Sequence, residues 1–172
     1  MKRVCRFDKR PYRPQLSVPA LNAVPDDYII GEMKKGLAQT VEPTAEDMKL
    51  IQEQAANVWK LLQGEMIDYP YPVYGLFLFD HTHCNGEYGN IDGICSFQYN
   101  LSTGATRSII GINLHAVHAG ADLLAFVLLH EVAHAAVGEN GHSAHFHQYL
   151  DDLISRFNRR YGTALKNDYI GD

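Results

Sequence analysis

A chain of 172 residues with 46% hydrophobic and 20% charged residues is sized for one domain with its own core, and this composition excludes wholesale disorder. No apolar run approaches the ~18 residues of a membrane span, and the basic start has no apolar h-region behind it, so neither a span nor a secretory signal is expected. The net charge of −5 is unevenly spread: Lys2, Arg3, Arg6, Lys9, Arg10 and Arg13 face only Asp8 at the start, which leaves the rest strongly acidic. Such an arm offers contacts to nucleic-acid phosphates, or is simply a solvated terminus. Cys5, Cys84 and Cys95 are odd in number and scattered, which argues against a secreted disulfide framework and predicts a cytoplasmic protein.

Residues 1–42 are expected to be mostly extended, because Pro11, Pro14, Pro19, Pro25 and Gly36 interrupt any regular element, with a short helical piece near Ile29–Leu37. The domain proper is expected over residues 43–172. Its first helix follows Thr44, which pairs with Asp47 in the manner of a capping box, and carries Met48, Ile51, Ala55, Val58, Trp59 and Leu62 at helical spacing up to Gly64. Val73–Phe79 reads as a strand and His81–Gly93 as a polar, glycine-rich loop. Ile94–Asn100 and Thr106–Leu114 form a hairpin, with Gly104 where the turn needs positive φ. A nearly all-apolar helix spans about Ala121 to Val137 and stops at Gly138. The last helix begins at Ser143, a good N-cap, carries Phe146, Tyr149, Leu150, Leu153, Ile154, Phe157 and Tyr161 on one stripe, and ends at Gly162. This order predicts an α+β domain: an N-terminal helix, a small antiparallel sheet, a central helix and a C-terminal helix.

The central helix carries His130-Glu131-Val-Ala-His134. Spacing of four puts both imidazoles on one face, able to reach one zinc ion, with the Glu131 carboxylate beside them as catalytic general base. Burying these three polar groups unpaired would cost several kcal/mol, which a metal and its water offset. A catalytic zinc takes three protein ligands and leaves one position open. The expected third ligand is His142, brought back over His134 by the reversal that Gly138 and Gly141 permit. His145, Glu139 and Asp151 are the alternatives. Tyr99, Tyr149 and Tyr161 are candidate donors to an oxyanion. A peptide substrate is expected to add to the sheet edge beside Thr106–Leu114.

The run Leu123-Leu-Ala-Phe-Val-Leu-Leu-His-Glu-Val-Ala-His-Ala, followed by Gly141-His142-Ser-Ala-His145-Phe146, resembles the SprT-like (Spartan-type) zinc metallopeptidases. The resemblance covers roughly residues 90–160. It implies a zincin-like single domain, Zn2+ held by His130, His134 and His142, Glu131 as the catalytic acid/base, and protein or peptide as substrate. Ser143-Ala144-His145 stands where that family has Gly-Pro-Glu.

Two other readings use the same residues. Peptide deformylases also carry the motif with an upstream cysteine as third ligand, and Asp92-Gly-Ile-Cys95-Ser faintly resembles their segment. A non-enzymatic, zinc-stabilised binding module would close the coordination sphere with His145. Three features stand outside the motif: the cluster His81, His83 and Cys84 as a second metal site or a polar loop, His115 and His118 as substrate contacts, and Cys5 as an inhibitory thiolate.

Overall fold

The computed structural model describes residues 3–4, 19–21, 23–35, 39–80 and 91–167. Five strands, β1 (Arg3–Val4), β2 (Gln39–Val41), β3 (Val73–Asp80), β4 (Gly93–Tyr99) and β5 (Thr106–Asn113), form one sheet in the order β1-β4-β5-β3-β2. Among the described residues five α-helices accompany it: α1 (Asp27–Lys35), α2 (Ala45–Leu62), α3 (Leu114–Ala119), α4 (Ala121–Val137) and α5 (Ala144–Tyr161). The class is α+β. No helix among the described residues is long and apolar enough to cross a membrane.

The sheet is mixed, which corrects the expectation of an antiparallel one. The β4–β5 hairpin is antiparallel, but β5 inserts between β4 and β3 and runs parallel to β3. Its sequence explains the placement: Ile109, Ile110 and Ile112 are all fully buried, and a strand apolar on both faces needs cover on both. β5 is therefore central and cannot accept a substrate strand along its edge. Part of the segment expected to be extended also enters the sheet, since β2 pairs antiparallel with β3, and Leu76 N donates to Ala20 O at 2.8 Å.

Helices cover the sheet unequally. On one face α1 sets Ile29 and Met33 against Phe77, Phe79 and Ile109. On the other, α2, α4 and α5 enclose the main core, in which Leu128, Leu129, Val132 and Ala133 of α4 are inaccessible to solvent. Burying each leucine side chain contributes roughly 1.5–3 kcal/mol, which is why α4 sits in the middle. The helix ends follow local chemistry. Thr44 accepts from Asp47 N at 3.1 Å while Asp47 Oδ2 accepts from Thr44 N at 3.2 Å, closing the capping box on α2. That helix stops one residue before Gly64, at Gln63 in the left-handed region (φ 45°). A short α3, of which Leu114 is expected to end the strand and His115 and His118 to lie in the lead-in to the central helix, is nucleated by Asn113, whose side chain accepts from His115 N.

Candidate metal centre

Helix α4 ends as its sequence requires. Gly138 adopts φ 71° and its N–H donates to His134 O at 2.9 Å, so the chain turns back over the helix. The turn delivers Glu139 O to 2.7 Å from His134 Nδ1. A carbonyl only accepts, so Nδ1 carries the hydrogen and Nε2 keeps the lone pair, the tautomer a metal ligand needs. Three residues on, His142 enters the same space: its Nε2 lies 3.2 Å from His130 Nε2.

The three imidazoles form one group. One ring nitrogen from each of His130, His134 and His142 lies within 4.8 Å of the others, and ring centroids are 4.9–5.1 Å apart. Two nitrogens bound to one tetrahedral cation at ~2.0–2.1 Å stand about 3.3–3.4 Å apart, close to the 3.2 Å separation of the first and third. The donor set therefore fits a divalent metal ion. Burial, and then the neighbouring histidines, press the His130 imidazole down to about 3. Burial presses His134 down to about 4 against the opposing pull of the Glu139 carbonyl. Both are neutral, and so able to ligate, far below pH 7.

Glu131 is not a member of the ligand group. The residue is 5% exposed in the adjoining wall, and burial, with Asp92 adding to it, lifts its carboxyl to about 8. Gly93 of β4 makes room for it, since a Cβ there would lie 2.6 Å from Glu131 Oε1. These residues border a cleft of about 530 Å³, lined also by Ile91, Asp92, Ile94, Cys95, Phe126, Val127 and Asn140.

The floor of the group is Phe146, fully buried on α5. Its ring lies 4.4 Å from that of His134, nearly parallel, 4.9 Å from His142 and 5.0 Å from His130, both edge-on. Ser143 caps α5 by accepting from Phe146 N at 3.2 Å and donates to Glu139 Oε2 at 2.6 Å, tying the loop to the helix.

No protein-family model, curated protein or solved structure matches the chain. The site is accordingly read from its own residues. His130, His134, His142 and Glu131 are brought together. The alternatives are not: His145 is exposed and outside the group, Glu139 turns its carboxylate to Ser143, and Asp151 accepts from Asn167. Among the described residues no fourth ligand joins the three. Cys95 is in the cleft wall but outside the group, contrary to a deformylase-like ligand, and burial, with Glu131 adding to it, raises its thiol. Tyr149 OH pairs with Tyr69 OH at 2.7 Å, Tyr161 OH donates to Asn57 O, and Tyr99 is in the sheet, so none of the three candidate donors lines the cleft. His118 pairs with Asp47 of α2 at 3.0 Å rather than facing the cleft. His81, His83, Cys84, Cys5 and most of the basic arm lie outside the described residues.

Four residues of the site have places there that the sequence did not assign. Asn140 and Asp92 lie in segments with no periodicity, and Gly93 looked like any loop glycine. Phe146 was legible as core-facing, but nothing in a helical stripe says that the core it faces is three imidazoles.

Proposed function

We propose that the chain is a zinc-dependent metallopeptidase of zincin type, hydrolysing peptide bonds with His130, His134 and His142 as ligands and Glu131 as general base. The observation that carries this reading is a three-imidazole group, joined by no fourth ligand among the described residues, with a buried carboxylate beside it in a cleft large enough for a peptide segment. Three histidine nitrogens, with no fourth ligand among the described residues, are the donor set of catalytic zinc. When bound, zinc supplies Lewis acidity, polarising a carbonyl and bringing water to a pKa of about 7.

The remaining chemistry belongs to the chain. The Glu131 carboxylate takes a proton from water and passes it to the leaving amine, and its place in the cleft wall next to the three imidazoles suits both halves of that transfer. Asn140 is the amide side chain in the cleft wall, a candidate donor to the carbonyl oxygen as charge develops there. The outer edge of β4 replaces β5 as the place for substrate to add as a strand. Among the described residues β1 pairs with Gln98 and Tyr99 of it, while Gly93–Cys95 border the cleft. The likeness of residues 123–146 to SprT-like metallopeptidases supports the same assignment, and a cytoplasmic location with protein or peptide as substrate belongs to it.

Metal analysis beside a proteolysis assay tests the proposal. Wild type and Glu131→Gln are each expected to hold about one zinc per chain, with activity at least ~100-fold lower in the variant. Zinc-loaded wild type inert towards unfolded protein, or an equally active Glu131→Gln, would overturn it.

A further inference from the structure

Asp92 is a charged group in the cleft wall that the chemistry above does not use. It lies at the foot of β4, beside the Gly93 that packs on Glu131. Its backbone is pinned: Asn113 N donates to Asp92 O at 2.8 Å, and Asn113 Nδ2 donates to Ile91 O at 2.8 Å. Its side chain is half-buried, and among the described residues the carboxylate makes no hydrogen bond or ion pair. His115 of α3 acts on it only through space. Among the described residues no lysine or arginine lines the cleft. A carboxylate drawn partly out of water, with no hydrogen-bonded cation among the described residues, gains from a cationic ligand that replaces the lost hydration. Phe126 and Val127 add an apolar wall of the kind on which a long aliphatic stem packs.

From this arrangement we infer that Asp92 is the specificity-determining residue of the cleft and selects peptides carrying Lys or Arg. The cationic head pairs with the Asp92 carboxylate while the stem lies against Phe126 and Val127. Cleavage beside that basic residue depends on the metallopeptidase reading; the binding preference does not.

The test uses the full, zinc-loaded chain carrying Glu131→Gln, with and without Asp92→Asn. Each is titrated by fluorescence anisotropy with two labelled peptides that differ only in one central Lys or norleucine. The Lys peptide is expected to bind the single variant on the order of 10-fold more tightly at low salt, less so at high salt. In the double variant the ratio is expected to fall to about one. Equal binding of the two peptides, no binding of either, or a Lys preference that survives Asp92→Asn would overturn the assignment. Wild type run in parallel separates the two ideas. A Lys preference without cleavage removes the peptidase reading and leaves Asp92 standing, whereas cleavage without a Lys preference does the reverse.

Discussion

Replacing Gly93 with Ala isolates the general base from the metal. The glycine has no positive φ, so alanine meets no backbone penalty and the effect is steric. The added methyl would lie 2.6 Å from Glu131 Oε1, 2.8 Å from Val127 Cγ1 and 2.9 Å from Glu131 Cγ, where ordinary contact begins at 3.4 Å. The shortfall of about 0.8 Å at the oxygen is not relieved by rotating the carboxylate alone, because Glu131 Cγ and Val127 are struck as well. Either β4 lifts from α4 or the Glu131 side chain moves, at roughly 1–3 kcal/mol of stability. A misplacement of about 1 Å in a catalytic group costs on the order of 100-fold in rate. The three imidazoles come from α4 and the turn after it, not from β4, so zinc is expected to stay. Gly93→Ala should therefore keep about one zinc per chain and lose ~100-fold in kcat/KM on a quenched peptide. Gly141→Ala, which adds its methyl to open space, should change neither. A fully active Gly93→Ala would refute this placement of Glu131, and so would parallel loss of zinc and activity.

Further expectations follow from the same packing and charge. Phe146→Ala removes the ring beneath all three imidazoles and should cost about 3–5 kcal/mol in urea unfolding. It should also weaken zinc on the order of 10-fold, while Phe146→Leu, which keeps more of the volume, should lose less of both; zinc affinity unchanged in the alanine variant would argue against a supporting role. Glu131 with its carboxyl at about 8 is roughly 90% protonated at pH 7, and a dication nearby drives that proton off. Titration calorimetry in buffers of different ionisation enthalpy should show ~0.9 proton more released on zinc binding by wild type than by Glu131→Gln, and equal release would contradict it. In the metal-free chain that raised carboxyl makes the folded state bind more protons than the unfolded state between about 4.5 and about 8, so its contribution to stability falls as pH rises across that window. Relative to Glu131→Gln, wild type should lose on the order of 4 kcal/mol between pH 5 and pH 8, whereas curves that stay parallel would mean that the carboxyl is not held in its neutral form.

Much of this could be read before any coordinates. The bounds of α4, the capping box at Thr44 and Asp47, the turns at Gly104 and Gly138 and the cap at Ser143 are local chemistry, set within a few residues. The third histidine was legible for the same reason, because only a short glycine-flanked turn separates it from the helix. What sequence spacing did not reveal is long-range. Hairpin signals fix β4 against β5 but not which side of β3 receives them, and the burial of β5 on both faces, which marks a central strand, appears only in the fold. Asp92 and Asn140 reach the cleft only because β4 and the turn after α4 converge on it, and Phe146 gains its role from what α5 packs against. The three tyrosines had the right chemistry, and packing placed them elsewhere.

The central claim is an open centre of three imidazoles, and X-ray absorption at the zinc edge of the loaded, full-length chain addresses it most directly. Three histidine nitrogens and one further light scatterer from solvent are expected, with one imidazole fewer in His142→Ala. A sulfur ligand, a fourth imidazole, or a spectrum unchanged by His142→Ala would contradict it.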